Sequence, residues 1–196
     1  KNSQTTNEPD QGRRKVLIGL TAGFAAAGVA FAATPFVTTW NPSARAKAIG
    51  SAVKVDVSKM MVGQQIQVSW RKQPILIIRH SPSALSGLAS VTSKLADPNS
   101  DSIDEPYKNI NATRSLSAEY SVLSGVCTHL GCSPKYYPEV EPKPWDSSWE
   151  GGFFCPCHGS MFDLVGRVYK GVPAPTNLTV PPHFFEGSIL TIGEEA

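Results

Sequence analysis

Two short cysteine–histidine segments constrain this chain more than any other feature of its sequence. The first reads Cys-Thr-His-Leu-Gly-Cys at residues 127–132, and the second reads Cys-Pro-Cys-His-Gly-Ser at residues 155–160. Together they contain all four cysteines of the 196-residue chain and two of its four histidines. Thiolates and imidazoles are common ligands of transition metals. The two segments therefore indicate a metal site built from two loops.

The distribution of ligand types between the segments favours one kind of site over another. A zinc site with two cysteines and two histidines usually draws the cysteines from one arm and the histidines from the other. Here each segment supplies one histidine and one cysteine, together with a further cysteine. A [2Fe–2S] centre, in which two cysteines hold one iron and two histidines hold the other, fits this distribution better. Structural zinc and plain disulfides remain the alternatives.

The two segments closely resemble the ligand-binding boxes of the Rieske iron–sulfur family. This resemblance implies one [2Fe–2S] cluster per chain with four ligands, which are Cys127, His129, Cys155 and His158. It also implies a disulfide between Cys132 and Cys157. The fold implied is mainly β: an antiparallel β-sandwich head with one helix and a small cluster-binding subdomain at about 126–176.

Other residues match further positions of the family. Ser160 matches the serine whose hydroxyl donates to a cluster sulfur, which should raise the reduction potential. Phe162 stands where high-potential members carry a tyrosine, so we expect a somewhat lower potential here. Residues 171–175, Gly-Val-Pro-Ala-Pro, resemble the proline loop that covers the cluster, with the valine as an inserted position. The resemblance places Leu130 and Pro173 where the head contacts its partner protein.

The N-terminal part predicts a membrane anchor. An Arg-Arg-Lys sequence at residues 13–15 precedes an uncharged run from Val16 to Val37, which resembles a twin-arginine export signal. At about 1.5 Å per residue the run spans roughly 33 Å, close to the thickness of the hydrocarbon core. A cleaved signal peptide is the alternative, but the run is longer than the apolar region of most such peptides. We expect a retained single-pass anchor, with residues 1–15 in the cytoplasm and the head in the periplasm.

The rest of the chain predicts a linker and a β-rich head. Residues 38–50 are mostly small and polar and favour a hinge linker, and residues 51–196 form the head. Within the head, alternating or continuous apolar runs predict strands, helical spacing predicts one helix, and polar or proline-rich stretches predict loops. The strands are expected at 53–57, 65–70, 74–78, 117–126, 161–164, 167–169, 178–180 and 188–192, the helix at 83–95, and the loops at 97–111 and 133–152.

Composition argues against nucleic acid as a partner, and the sequence positions of two further histidines predict their role. The formal net charge is +2, and no basic patch of the kind that binds nucleic acid stands out. The chain has 16 glycines and 16 prolines, which favours short strands joined by loops. His80 and His183 lie outside both boxes with no cysteine nearby in sequence, so we interpret them as structural residues rather than ligands.

The whole pattern resembles the Rieske subunits of bacterial ubiquinol–cytochrome c reductases. The resemblance implies an oxidoreductase subunit that takes one electron from ubiquinol at a cytochrome b subunit and passes it to a c-type cytochrome, with proton release. His158 would accept the hydrogen bond from the quinol hydroxyl. A dimeric complex in the bacterial inner membrane is implied with it. The alternatives are a Rieske subunit of a periplasmic oxidase, such as arsenite oxidase, and a non-redox zinc module.

Overall fold

The computed structural model describes residues 10–102, 107 and 111–194. The chain forms two units, one ending at Lys47 and the other beginning at Ala48. Residues 1–9 of the tail predicted at 1–15 lie outside the described residues, as do positions 103–106 and 108–110 of the loop predicted at 97–111.

The first unit is dominated by helix α1, which runs from Gln11 to Thr38. Asp10 caps its start, because the Asp10 carboxylate accepts hydrogen bonds from the amides of Gly12 and Arg13. The helix therefore begins before the predicted apolar run and includes the arginine pair. Among the described residues it is the one helix long and apolar enough to cross a membrane. Its length of 28 residues corresponds to about 42 Å.

Polar side chains within α1 are satisfied by the helix itself. The Thr21 hydroxyl donates to the carbonyl of Leu17 at 2.8 Å, and the Thr34 hydroxyl donates to the carbonyl of Ala30 at 2.8 Å. Such bonds to the preceding turn leave no hydroxyl unpaired in an apolar solvent. The hydroxyl-bearing residues are therefore compatible with a membrane-spanning helix.

The segment predicted as a linker contains a short helix. Helix α2 spans Ala44–Gly50, and the Ser43 hydroxyl accepts from the Ala46 amide at 3.2 Å near its start. Three alanines in seven residues explain the helical conformation, because alanine has the highest helix propensity. The expected linker is thus helical over more than half of its length.

The described residues of the second unit form nine strands in three antiparallel sheets. The sheet orders are β1–β9–β8, β2–β3–β4 and β5–β6–β7. The strands are β1 Val53–Asp56, β2 Gln65–Trp70, β3 Gln73–Arg79, β4 Tyr120–Ser124, β5 Lys135–Tyr137, β6 Gly152–Phe154, β7 Met161–Asp163, β8 His183–Glu186 and β9 Ile189–Ile192.

The first two sheets pack face to face and form the expected sandwich. One buried core joins Ile75, Ile77 and Val122 of the second sheet to Leu190 and Ile192 of the first. All five residues are almost completely buried, with exposed fractions of 0–1%. Burial of such side chains contributes about 1.5–3 kcal/mol each. Through β9 this core supports β1, the first strand of the head after the linker.

Strand β3 is shared between this core and a second one. Its alternate residues, Leu76 and Ile78, pack in a buried group that also contains Cys127 and Cys155. Successive side chains of a strand point to opposite faces, so one strand supports both the sandwich and the cysteine region. The prediction that residues 74–78 are buried on both faces is confirmed.

The expected helix of the head is α3, which spans Pro82–Val91. The Ser81 hydroxyl caps it by accepting from the Ala84 amide at 3.1 Å, and Pro82 occupies the first turn. Leu88 and Val91 are buried on its inner face. The helix ends four residues before the predicted position, and a single 3₁₀ turn continues from Thr92 to Lys94.

Several predicted elements of the head are wrong. Residues 167–169 do not form a strand, and Val168 and Tyr169 make isolated bridges instead. The Val168 amide donates to the Asn177 side chain at 2.8 Å, so it is not available to a neighbouring strand. Residues 178–180 bond singly to different partners and form no ladder. Two observed strands were not predicted. Strand β5 lies inside the predicted loop 133–152, and no strand was predicted at the position of β8.

The turn between β2 and β3 adopts a backbone conformation that its residues disfavour. Trp70 pairs with Gln73, which leaves the two-residue turn Arg71–Lys72. Both residues are left-handed, with φ of 50° and 64°. Turns of this type prefer Asn-Gly, and a non-glycine residue held in this region costs about 1–3 kcal/mol. The turn therefore retains two cations at an energetic cost.

His80 and His183 are both buried, as expected of structural residues. The Ser121 hydroxyl donates to the carbonyl of Thr113 at 3.0 Å, so it accepts from Nε2 of His80 at 2.8 Å. His80 is therefore neutral and protonated at Nε2. Burial lowers the pKa of His80 from 6.5 to about 4.

This burial predicts a loss of stability in acid. Below pH 6.5 the unfolded chain binds a proton at His80 that the folded chain does not bind until about pH 4. The free energy of unfolding should therefore fall by up to about 3 kcal/mol between these pH values. In His80→Gln the fall should be smaller, with His183, whose pKa burial also lowers, accounting for part of the remainder. Urea unfolding at several pH values measures this, and equal pH dependence in both proteins would contradict it.

Candidate metal centre

The two cysteine–histidine segments form loops with the same backbone hydrogen bonds. In each loop the amide of the first residue donates to the carbonyl of the sixth, and the amide of the fifth donates to the carbonyl of the first. The distances are 2.7 and 2.9 Å in loop 127–132, and 2.8 and 3.0 Å in loop 155–160. Each fifth residue is a glycine with positive φ, 83° for Gly131 and 75° for Gly159. Glycine is favoured there by the backbone conformation.

The strands explain how these loops come together. Loop 155–160 connects β6 to β7, and loop 127–132 lies between β4 and β5. Since β5 pairs with β6, the two loops emerge at the same edge of the third sheet. Gly152, at the start of β6, is required for this arrangement, because a Cβ there would lie 2.1 Å from the carbonyl oxygen of Phe162. The Gly-Gly pair at 151–152 was the sequence signal for this close approach, and it was missed.

Cys132 and Cys157 form a disulfide across the two loops. Their Cα atoms are 6.6 Å apart, and 25 positions separate them in sequence. The bond joins the sixth residue of the first loop to the third residue of the second. The pairing implied by the family resemblance is therefore confirmed.

The other two cysteines are free thiols, and both are buried. Burial raises the pKa of the Cys127 thiol, while hydrogen bonds from the His129 amide and the Ser160 hydroxyl act against this effect. Both donors favour the thiolate, which is the form that binds metal. The neighbouring Cys155 thiol also affects the Cys127 pKa, which places the two free sulfurs close together.

The two box histidines lie beside each other above the thiols. The ring centroids of His129 and His158 are 4.8 Å apart, and the rings are nearly perpendicular. His129 is half-buried and His158 is exposed. The Nδ1 atom of His129 is buried and finds no hydrogen-bond partner among the described residues. A buried nitrogen without a partner is costly, and binding a metal ion would satisfy it.

A second grouping of sulfurs does not form a metal site. The Sγ atoms of Cys132, Cys155 and Cys157 lie within 4.8 Å of one another. Two of these sulfurs are joined in the disulfide and cannot act as thiolates. The grouping shows instead that the cross-link packs directly against the free thiol of Cys155.

The proline loop is fastened to both cysteine–histidine loops. The Ala174 amide donates to the Ser160 hydroxyl oxygen at 3.0 Å, and the Thr128 hydroxyl donates to the Thr176 carbonyl at 2.7 Å. Pro173 is exposed, and Leu130 is 72% exposed. Leu130 directly follows His129 in sequence, and Pro173 precedes Ala174, which is bonded to Ser160. The role of Thr128 was missed because a single threonine carries no pattern in sequence.

Ser160 and Phe162 are both completely buried, with exposed fractions of 0%. Because the Ser160 oxygen accepts from Ala174, its own hydrogen is available for the sulfur beside it. Phe162 belongs to the same buried group as Cys127 and Cys155. Its ring offers no hydrogen-bond donor to that group.

Comparison with known proteins agrees with this geometry. A model described as "Rieske [2Fe-2S] domain" matches residues 51–182. The chain belongs to the Rieske iron–sulfur family. Its [2Fe–2S] domain has an electron-transfer role, and the free thiols and the unpartnered His129 nitrogen fit such a cluster. A second model, "Ubiquitinol-cytochrome C reductase Fe-S subunit TAT signal", matches residues 3–43.

Relatives of this Rieske chain cover nearly its full length. A protein of Allochromatium vinosum named "Ubiquinol-cytochrome c reductase iron-sulfur subunit" is 48% identical over 93% of this chain and 89% of its own. A protein of Blastochloris viridis with the same name is 41% identical over 92% of both chains. A chain of the solved "Hyperthermophilic respiratory Complex III" has a TM-score of 0.50 and 27% identity, covering 89% of this chain and 98% of that one.

Removal of the disulfide should loosen the site without removing a ligand. In Cys132→Ser/Cys157→Ser we expect the free energy of unfolding of the head to fall by about 3 kcal/mol, because the unfolded chain regains the freedom of the closed loop. The visible spectrum of the cluster should also decay faster on warming. Denaturant titration monitored in the visible and far ultraviolet measures both. Native protein treated with a reductant should match the variant, whereas unchanged stability would show that the cross-link contributes nothing.

Phe162→Tyr should raise the reduction potential. A phenol donor near the cysteine sulfurs would stabilise the more negative, reduced state. If about 1 kcal/mol of a charged hydrogen bond distinguishes the two oxidation states, the midpoint rises by roughly 40 mV. Protein-film voltammetry measures the shift, with Phe153→Tyr as a control for an added phenol in the same buried group. An unchanged midpoint in Phe162→Tyr would show that position 162 does not face the cluster.

Proposed function

We propose that this chain is the iron–sulfur subunit of a cytochrome bc complex, which takes one electron from ubiquinol and passes it to a c-type cytochrome. The observation that supports this most directly is the arrangement of the two loops, with buried thiols beneath and imidazoles at the surface. The names of the full-length relatives, which are ubiquinol–cytochrome c reductase subunits, support the choice of substrate. The complex is proposed to be dimeric and to contain cytochrome b and a c-type cytochrome.

The four box residues have distinct roles in this proposal. Cys127 and Cys155 would hold one iron of the cluster as thiolates, and His129 and His158 would hold the other through one ring nitrogen each. Their burial supports this assignment, since both cysteines are buried while His158 is exposed. When bound, the cluster supplies one-electron exchange at a potential of roughly −150 to +300 mV. The Ser160 hydroxyl, beside the Cys127 sulfur, raises the potential within that range.

The exposed His158 imidazole is the contact for the quinol. When the ring nitrogen that does not bind iron is deprotonated, it accepts the hydrogen bond from the quinol hydroxyl and takes up the proton that leaves with the electron. Leu130 and Pro173 are exposed and supply the apolar contact with the cytochrome b subunit. Burial of such a patch excludes water from the hydrogen bond between quinol and imidazole, which strengthens it.

In this proposal the anchor α1 and the hinge at residues 38–50 hold the site close to the membrane. We propose that α1 spans the bacterial inner membrane once, with Arg13 and Arg14 on the cytoplasmic side and the head in the periplasm. The apolar length of α1 and the match of residues 3–43 to an export-signal family support this topology. Residues 38–50, of which Ala44–Gly50 form α2, act as the hinge between the anchor and the head. The export-signal match is to a reductase family, so it does not favour an arsenite oxidase subunit.

Alanine substitution of the proposed ligands tests the function. His129→Ala should lose the [2Fe–2S] spectrum, because the thiols of Cys132 and Cys157 are joined in the disulfide and cannot replace the imidazole. Iron analysis and electron paramagnetic resonance of the dithionite-reduced protein measure the loss. As the matched control, Leu130→Ala should keep the spectrum and slow quinol oxidation in membranes. A native spectrum in His129→Ala would remove this residue from the ligands, and absence of b- and c-type haems from the purified complex would contradict the proposed partners.

A further inference from the structure

The hairpin turn between β2 and β3 presents two exposed cations on a rigid support. Arg71 and Lys72 are both exposed, and neither forms an ion pair in the part of the chain that the structure describes. The Arg71 guanidinium lies 4.4 Å from the centroid of the Trp70 ring, which holds it in place by a cation–π contact. The Trp70 indole in turn lies against Gly193, where a Cβ would be 2.4 Å from its Nε1 atom.

The choice of residues at this turn is unfavourable for folding. Both cations occupy left-handed positions for which Asn and Gly are the usual residues. Strain of this kind is found at sites where the side chains have a role beyond folding. The turn therefore indicates that two positive charges are needed at this point of the head.

The hairpin tip lies at the end of the head through which the chain arrives from the anchor. A surface depression is lined by Trp70, Arg71 and Lys72 on one side and by Ala48, Ser51 and Val53 on the other. Ala48 follows the end of α1 at Thr38 by only ten positions in sequence. Ten residues limit how far this end of the head can move from the membrane surface.

We propose that the hairpin tip Arg71–Lys72 binds the phosphate groups of anionic phospholipids at the surface of the membrane that holds the anchor. The planar guanidinium suits bidentate contact with a phosphate, and the lysine adds a mobile charge. Among the described residues, Glu194, which follows Gly193, is an exposed acid near this end, while the tip itself carries two cations. The inference rests on the membrane anchoring in the proposed function and adds a second, electrostatic contact to it.

The reactivity of Lys72 towards an amine-acylating reagent tests this contact. The full-length, cluster-loaded protein is placed in nanodiscs of phosphatidylcholine alone or of phosphatidylcholine with phosphatidylglycerol. Mass spectrometry then gives the acylation rates of Lys72 and of Lys135, an exposed lysine on β5. In the anionic discs Lys72 should react at least about threefold more slowly, with Lys135 unchanged, and 0.5 M salt should remove the difference.

Arg71→Asn separates lipid binding from folding. Asparagine tolerates the left-handed conformation, so the variant should unfold at the same or a higher temperature while Lys72 loses its protection. The matched control Lys59→Asn removes another exposed cation and should leave Lys72 protected. Equal Lys72 rates in the two kinds of disc, with the protein anchored in both, would overturn the lipid contact alone. Failure of the protein to insert into either disc would overturn the membrane anchoring as well.

Discussion

The cross-link between Cys132 and Cys157 is the constraint on which the site depends. The two loops approach from different parts of the sequence, and the hydrogen bonds within each loop hold its own shape but not its partner. The disulfide fixes their separation, and it packs against the free thiol of Cys155. The thiols of Cys127 and Cys155 are buried, whereas Cys157 of the cross-link is exposed.

Strand β3 transmits the stability of the sandwich to these loops. One set of its side chains closes the core between the first two sheets, and the other set lies in the group with the cysteines. Its neighbour β4 is shared in the same way, through Val122 and Leu123, so a loss of packing in the sandwich would reach the site through both strands. Two further hydrogen bonds join the proline-loop region to the cysteine–histidine loops. Thr128 donates to the Thr176 carbonyl, and the Ala174 amide donates to the Ser160 hydroxyl.

The sequence was most informative where chemistry or burial leaves few choices. The two boxes predicted the pairing of Cys132 with Cys157 through their resemblance to a family, and the unbroken apolar run 74–78 predicted a strand buried on both faces. Strands β5 and β8 were missed because they are three and four residues long, and neither alternates clearly between apolar and polar residues. The bridges at 167–169 depend on Asn177, a contact that no local pattern reveals. The left-handed turn at Arg71–Lys72 lacks the Asn-Gly signal that would have predicted it.

The shared backbone of the two loops has a consequence for the direction of chemistry at the site. The loops agree in their hydrogen bonds, yet the histidine is the third residue of one and the fourth residue of the other. This offset of one position leaves His129 half-buried and turns His158 outward. The pair of imidazoles is therefore inequivalent although the loops are nearly equivalent. Of the two imidazoles, His158 is therefore the more accessible from solvent, so the site is open mainly on the side of one histidine.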